Sequence, residues 1–245
     1  VKKGDKYVVN GQKVWISRVQ HSDLMILLAR TTPLSEVKKK SEGLSIFLVD
    51  IKEAMQSGLT VRPIPNMVNH ETNELFFDNL EIPEENLIGE EGKGFKYAMM
   101  GLDGGRLNIS SCSLGAAQTA LNLTLNYMSE RKAFGTSIDQ FQGLQFRLAD
   151  MEIEMQAART FLRQAAWKLD TGAPDATKFC AMAKKFVTET GSKVVDQCLQ
   201  LHGGYGYLAD YGIEKLVRDL RVHQILEGTN EIMRVIVARD MLKNR

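Results

Sequence analysis

Much of the chain after residue 113 places apolar side chains at the spacing of an α-helix, and no other feature of the sequence limits its fold as strongly. Apolar residues recur at positions 114, 117, 121, 125 and 128, at 148, 151, 155, 158, 162, 165 and 169, and at 179, 182, 186, 187, 194 and 198, with Thr190 in the same helical phase. A TGAP sequence at residues 171–174 predicts the end of the second helix and the start of the third. Another helix is predicted after Thr229, whose hydroxyl can cap its first turn. These helices predict an up-and-down four-helix bundle.

Residues 1–88 carry a different pattern, in which short β-rich runs alternate with turn residues. Runs at residues 24–29, 44–49, 59–62 and 74–78 predict strands, and the Asn10-Gly11 pair between two further runs predicts a tight hairpin. Several short strands at this spacing predict a small antiparallel sandwich or barrel. The fold class is therefore α+β, with a β domain at residues 1–88 and a helical-bundle domain at residues 89–245.

Composition excludes several classes of function. Charged residues make up 25% of the 245 positions and the net charge is +1, without a basic patch, so nucleic acid is not expected as a partner. No apolar run reaches membrane-spanning length. The cysteines lie far apart, which predicts buried thiols in a reducing compartment and neither a disulfide framework nor a metal site: Cys112, Cys180 and Cys198. The chain opens within a strand pattern without an initiator methionine, and we expect it to be a fragment of a longer protein.

Glu227 is a candidate for catalysis because it lies directly before Gly228 and Thr229, on the turn that leads into the last predicted helix. A carboxylate there can face a cavity beside free backbone N–H groups. The alternative, which the local pattern alone favours, is an ordinary surface turn.

Three further polar groups interrupt the helical pattern. The sequence LDGGR at residues 102–106 places two glycines inside a helix, where each costs up to about 1 kcal/mol, which suggests close approach of a ligand or another segment. Arg131 follows the first long helix. It is either a cation that interacts favourably with the negative end of the helix dipole or a phosphate ligand. The sequence QLHGGYG at residues 200–206 can present backbone N–H groups to an anion.

Taken in order, the segments LDGGR, ERKAFG…FQ, QLHGGYGY and RVHQILEGTNEIMR resemble the acyl-CoA dehydrogenase family. The segments VWIS and FFDNLEIPEENLIGEEGKGF in the β region are also similar to that family, so the resemblance covers essentially the whole chain. It implies the acyl-CoA dehydrogenase fold without its N-terminal helical domain and without the first part of its β domain.

The resemblance implies the chemistry and the substrate contacts. Family members bind FAD and oxidise an acyl-CoA thioester to its trans-2-enoyl-CoA, and the reduced flavin passes its electrons to electron-transfer flavoprotein. Glu227 matches the base that removes the α-proton. Some members instead carry the base directly before the arginine of the LDGGR-like motif, where this chain has Gly105. The positions that match substrate contacts are Asp103, Gly104, Gly105, Arg106 and Gly228.

The resemblance also implies an FAD site shared between subunits. Trp15 and Ser17 match residues that contact the isoalloxazine ring, and Thr229, Asn230 and Glu231 match flavin contacts after the base. Other matched positions reach the cofactor of a neighbouring subunit: Arg131, Phe134, Gln142, Gln200, Leu201, His202, Gly203 and Gly204. Such sharing implies a homo-oligomer, expected to be a dimer of dimers.

The substrate and two alternatives stay open at this stage. Leu226 stands where many straight-chain members carry tyrosine, and it is more similar to the isobutyryl-CoA dehydrogenase branch, which favours a short or branched acyl chain. The sequence SRVQH at residues 17–21 departs from the family's usual turn. A non-catalytic scaffold on the same fold and an acyl-CoA oxidase are the competing interpretations. The expected location is the mitochondrial matrix or the bacterial cytoplasm.

Overall fold

The computed structural model describes residues 1–68 and 72–243, and the chain separates into two compact units, Val1–Gly101 and Leu102–Arg245. In its described residues the first unit contains seven strands and one short α-helix ahead of the first long helix. In chain order they are β1 (Lys2–Lys3), β2 (Lys6–Ser17), β3 (Leu24–Arg30), β4 (Leu44–Asp50), α1 (Ile51–Ser57), β5 (Leu59–Pro63), β6 (Thr72–Pro83) and β7 (Leu87–Ile88).

The strands form two antiparallel sheets around one core. The sheet orders are β1-β2-β6-β5 and β3-β4-β7, so neither sheet closes into a barrel within the described residues. Tyr7 on β2 and Phe47 on β4 join the sheets, because their ring centroids lie 4.8 Å apart and both side chains are buried. The α+β class is confirmed, and of the two β architectures expected from sequence the sandwich describes this unit.

The predicted hairpin at Asn10-Gly11 is wrong. Both residues lie inside β2, where the register against β6 shifts between Val9 and Gly11. Asn10 does not adopt the positive φ that a two-residue hairpin of this type requires. Its side chain instead accepts a hydrogen bond from the Asn79 N–H at 2.9 Å. Pairing of the whole segment with the long strand β6 therefore outweighs the local turn preference. The resulting bulge has its extra residue in β6, where Asp78 and Asn79 lie opposite Asn10.

The second unit is helical. Its long helices are α2 (Gly94–Glu130), which begins in the first unit, α3 (Gln142–Asp170), α4 (Ala176–His202) and α6 (Asn230–Lys243). The predicted end of the first long helix before Arg131, the break at residues 171–174 and the cap at Thr229 are confirmed, since Thr229 Oγ1 accepts from the Ile232 N–H at 3.4 Å. The sequence did not predict α5 (Ile213–Arg221) or α1, because each is too short to establish the helical period.

Alanine, leucine, valine and methionine side chains fill the core of the helical unit, at most of the positions that the periodicity predicts. Two predicted core positions are wrong, because Leu125 and Phe186 are exposed at 46% and 37%. Cys112 is also exposed, which corrects the prediction that all the cysteines are buried. On α2 it lies directly before the buried residues 113 and 114 and outside the row of buried side chains. Cys180 and Cys198 are buried, and burial raises the pKa of both thiols to about 11.

Close packing of α2 against α4 depends on Gly191. A Cβ at this position would overlap the Ser113 hydroxyl and lie 3.1 Å from the Ser113 carbonyl oxygen. We expect Gly191→Ala to lower the free energy of unfolding by about 1–2 kcal/mol, because overpacking exceeds the gain in helix propensity. Urea denaturation measures this change.

The matched control is Gly115→Ala on α2, where a Cβ would meet no atom within 4 Å. We expect this variant to be more stable than the parent by about 0.5–1 kcal/mol. Equal effects of the two substitutions would contradict the packing interpretation.

Candidate functional site

Glu227 lies on the turn directly before α6, in a backbone conformation that side chains rarely adopt. Its φ is 55° and that of Gly228 is 88°, so two consecutive residues occupy the left-handed region. The glutamate side chain is exposed on the helical unit. A non-glycine residue held in this region is strained, and such residues concentrate at functional sites.

The Glu227 carboxylate packs against Gly105 on α2. A Cβ built on Gly105 would lie 2.6 Å from Glu227 Oε2 and 3.2 Å from its carboxyl carbon. Only glycine leaves this space, which gives a physical reason for a glycine within the helix. By contrast, a Cβ at Gly104 would meet no atom within 4 Å. The structure therefore brings together the predicted base and one of the predicted substrate positions.

Asp103 and Arg106, the other side chains of the LDGGR segment, are buried and pair with each other. Arg106 donates to Asp103 Oδ1 at 2.7 Å, and Thr177 on α4 donates to Asp103 Oδ2 at 2.6 Å. The Nε of Arg106 is buried without a hydrogen-bond partner in the described part of the chain. Sequence reasoning missed Thr177, since a threonine at the start of a helix has an ordinary explanation as a surface residue.

Lys184 on α4 is a second residue that the sequence did not single out. It is fully buried and donates to the Gly228 carbonyl at 2.8 Å and to Asn230 Oδ1 at 2.9 Å. Asn230 is buried as well, and its amide donates to Thr188 Oγ1 at 3.2 Å. Asn230, predicted to contact flavin, thus directs its side chain into the protein. The neighbouring Glu231 is exposed and pairs with Arg234 at 3.0 Å.

The predicted anion-binding residues Arg131 and 200–204 line one cavity of about 530 Å³ at the end of α4. The described residues that line it include Arg131 and Arg147 and no carboxylate. Side chains added at Gly203 or Gly204 would meet no atom within 4 Å, so their backbone faces open space. Two arginines beside an exposed glycine backbone fit a diphosphate such as that of FAD, although the Gly203 N–H already donates to the Gln200 carbonyl. Arg147 lies in the second turn of α3, and the sequence did not single it out.

Tyr127 on α2 and His202 hold the glycine loop in place. Their rings stack with centroids 4.3 Å apart, and the tyrosine hydroxyl donates to the His202 carbonyl at 3.2 Å. His202 Nδ1 lies 2.8 Å from the Cys198 carbonyl oxygen, so this ring nitrogen forms a hydrogen bond within α4. Leu201 is buried, whereas Gln200 is exposed at the cavity. His202 and Leu201 therefore support the loop, and Gln200 is free to contact a ligand.

Phe134 projects from a small hairpin between α2 and α3. The strands are β8 (Lys132–Ala133) and β9 (Thr136–Ser137), and the turn residues Phe134 and Gly135 have φ values of 53° and 88°. The Phe134 side chain is 98% exposed. Gln142 begins α3 and is exposed but does not line the cavity.

Trp15 and Ser17 lie in the first unit, near the end of β2. Trp15 has φ 64° at an irregularity in the pairing of β2 with β6, and its side chain is 70% exposed. Ser17 is exposed and lies opposite Thr72. An exposed tryptophan held in the left-handed region presents a flat aromatic surface that a planar ligand can stack on.

Among the helices in the described ranges, none has the length and apolar character needed to cross a bilayer.

A β-sandwich followed by a helical bundle defines the class of fold, and comparison with known families identifies the family. The model described as "Acyl-CoA dehydrogenase, middle domain" matches residues 1–80, and that described as "Acyl-CoA dehydrogenase, C-terminal domain" matches residues 92–242. The chain belongs to the acyl-CoA dehydrogenase family.

The chain is similar to mitochondrial isobutyryl-CoA dehydrogenases. It is 40% identical to that of Bos taurus over 99% of this chain and 57% of the relative, and 40% identical to that of Dictyostelium discoideum over 99% and 58%. A crystal structure of an acyl-CoA dehydrogenase from Geobacillus kaustophilus superposes with a TM-score of 0.92 at 38% identity, over 98% of this chain and 62% of that one. The chain thus spans less than two thirds of the length of these relatives.

Proposed function

We propose that the complete protein is an FAD-dependent acyl-CoA dehydrogenase, which converts an acyl-CoA thioester to its trans-2-enoyl-CoA. The observation that carries this proposal is the packing of the Glu227 carboxylate against Gly105. It joins an acid at the family's base position to the helix segment expected to contact substrate. Gly105 has no side chain to serve as the alternative base, so Glu227 is the only acid at either known position.

In this proposal Glu227 removes the α-proton of the acyl group. Its exposure on the helical unit leaves the carboxylate accessible to a thioester, and Gly228 beside it gives room for the acyl chain. A positioned carboxylate acting as general base contributes about 10²–10⁴-fold to a rate. FAD, when bound, supplies the acceptor for the hydride that leaves the β-carbon. The buried pair Asp103–Arg106 holds α2 in place where the pantetheine arm is expected to pass.

FAD binding is assigned to two groups of residues. Trp15 and Ser17 contact the isoalloxazine ring, with Thr229 and Glu231 on the flavin side after the base. Arg131, Gln200 and the glycines 203 and 204 bind the diphosphate of a cofactor held by a neighbouring subunit, on the loop that Leu201 and His202 support. The cavity with two arginines and the exposed Phe134 support this assignment. Gln142 completes this contact surface. We therefore propose a homo-oligomer, expected to be a dimer of dimers.

The proposed substrate is a short or branched acyl-CoA, because Leu226 resembles the isobutyryl-CoA dehydrogenase branch and two such enzymes are 40% identical to this chain. Electron-transfer flavoprotein is the proposed electron acceptor. The mitochondrial matrix and the bacterial cytoplasm are the expected locations, and the relatives named above come from eukaryotes and from a Geobacillus species.

Anaerobic titration of the complete protein with isobutyryl-CoA, butyryl-CoA and octanoyl-CoA tests the proposal. We expect bound flavin and bleaching of its oxidised absorbance band, fastest with one of the two shorter substrates. Selectivity of about 10–200-fold for each methylene is the range that a hydrophobic pocket provides. Flavin that no acyl-CoA bleaches would contradict the dehydrogenase, and a protein that binds no flavin would favour a non-catalytic scaffold. Rapid reoxidation by oxygen in place of electron-transfer flavoprotein would favour an oxidase.

A further inference from the structure

Lys184 is a lysine in the core of the helical unit. Its side chain is fully buried, on the same face of α4 as the buried Cys180 and Val187. A buried ammonium loses its hydration and is retained only where the protein supplies other acceptors. Lys184 forms no ion pair with a carboxylate in residues 1–68 and 72–243, so its acceptors are neutral oxygens.

Those two acceptors belong to the turn that carries Glu227. The ammonium donates to the carbonyl of Gly228, directly after the glutamate, and to Oδ1 of Asn230, the first residue of α6. The Asn230 amide is fixed in turn, because it donates to Thr188 Oγ1 at 3.2 Å and to Glu189 Oε1 at 3.3 Å. Side chains of α4 thus hold both ends of the peptide segment that follows the base.

The turn needs such support because of its backbone conformation. Glu227 and Gly228 both have positive φ, and the glutamate pays a steric cost there that only surrounding contacts can offset. If the Gly228 carbonyl were free to rotate, the peptide between Gly228 and Thr229 could change orientation, and the φ and ψ angles of the turn would change with it. The Glu227 carboxylate would then leave its place over Gly105.

We propose that Lys184 is a positioning residue, whose ammonium fixes the Gly228 carbonyl and thereby directs the Glu227 carboxylate toward the α-carbon of the acyl-CoA. This inference rests on the proposed function. Lys184 itself touches neither substrate nor cofactor in this assignment and acts only through the turn.

The charges around Lys184 make this contact dependent on pH. Burial lowers the pKa of Lys184 to about 8, the carboxylates of Glu227, Glu231 and Glu189 oppose that change, and Arg106 on α2 adds to it. The folded protein therefore keeps the ammonium below pH 8 and loses it as the pH rises through this value. Loss of the proton removes the charge that strengthens the hydrogen bond to the Gly228 carbonyl.

The test compares Lys184→Met with Lys193→Met in the complete protein with its FAD. Lys193 is on the same helix and forms an exposed ion pair with Glu154, which is worth little. We expect Lys184→Met to slow flavin reduction at saturating acyl-CoA about 100-fold, because misplacement of a catalytic group has effects of this size. The dissociation constant for acyl-CoA should stay within about threefold, a difference below 1 kcal/mol. Lys193→Met should match the parent.

Two further readouts separate positioning from a general loss of stability. The parent rate should fall above pH 8, and this fall should be absent in Lys184→Met. Hydrogen exchange of backbone amides in residues 225–230, measured without acyl-CoA, should be at least about tenfold faster in Lys184→Met, while the amides of α4 keep their protection. Lys184→Gln keeps a hydrogen-bond donor, so its loss of rate and its increase in exchange should both be smaller than those of Lys184→Met. It also provides a variant for the test if Lys184→Met does not fold.

The outcomes are distinct. Parent-like flavin reduction in Lys184→Met would overturn the inference, as would unchanged exchange in residues 225–230. A parent protein whose flavin no acyl-CoA reduces would contradict the proposed function. In that case the exchange measurement alone decides whether Lys184 holds the turn.

Discussion

Glu227→Gln is expected to lower acyl-CoA-dependent flavin reduction by at least about 100-fold, since glutamine keeps the shape of the side chain and cannot accept the α-proton. The turn before α6 should be unchanged, because Lys184 contacts the backbone carbonyl of Gly228 and not the glutamate side chain. Flavin content and thermal stability should therefore equal those of the parent. Anaerobic stopped-flow measurement of the oxidised flavin band gives the rate.

Glu154→Gln is the matched control for this substitution. Glu154 lies on α3 and, among residues 1–68 and 72–243, forms its one ion pair with the exposed Lys193. The same chemical change there should leave the rate unaltered. Retention of more than about a tenth of the parent rate in Glu227→Gln would exclude the glutamate as the base.

Gly105→Ala is expected to change activity and stability in opposite directions. The added methyl would lie 2.6 Å from Glu227 Oε2, and a flexible carboxylate can move away at little cost to the fold. Displacement from the reactive position should lower the rate of flavin reduction by about 100-fold. Replacement of glycine inside helix α2 should meanwhile raise the free energy of unfolding by up to about 1 kcal/mol. Stopped-flow reduction and urea denaturation measure the two effects.

Gly115→Ala provides the control, because it adds the same methyl to the same helix where no atom lies within 4 Å. It should show the gain in stability without the loss of rate. If Gly105→Ala lost stability instead, the methyl would be clashing with rigid backbone and the interpretation of the contact would be wrong.

Much of the helical unit could be predicted from sequence, because its signals are local. The apolar period and the cap at Thr229 define where helices lie, and they do not depend on distant residues. Short elements escaped this reasoning. The nine residues of α5 hold too few turns to establish a period. Asn10-Gly11 carries a strong hairpin signal, yet the partner strand β6 imposes a bulge that local propensity cannot anticipate.

The candidate site was only partly accessible to sequence reasoning. Glu227 was identified by its motif, whereas its contact with Gly105 joins residues on different helices and required the structure. Lys184 did leave a signal in the sequence, since it falls in helical phase with Cys180 and Val187 while its neighbour Lys185 does not. A lysine in phase with a buried stripe indicates a cation with an internal partner. The identity of that partner, the Gly228 carbonyl, depends on tertiary packing alone.

Product analysis after a single anaerobic turnover tests the central claim most directly. The complete protein with oxidised FAD is mixed with isobutyryl-CoA, and the acyl-CoA is recovered for mass spectrometry once the flavin band has bleached. We predict a product that has lost two hydrogen atoms, in an amount equal to the flavin reduced, and its absence when Glu227 is replaced by glutamine. Unchanged thioester from the parent protein with every acyl-CoA tried, or equal product from parent and variant, would contradict a dehydrogenase in which Glu227 is the base.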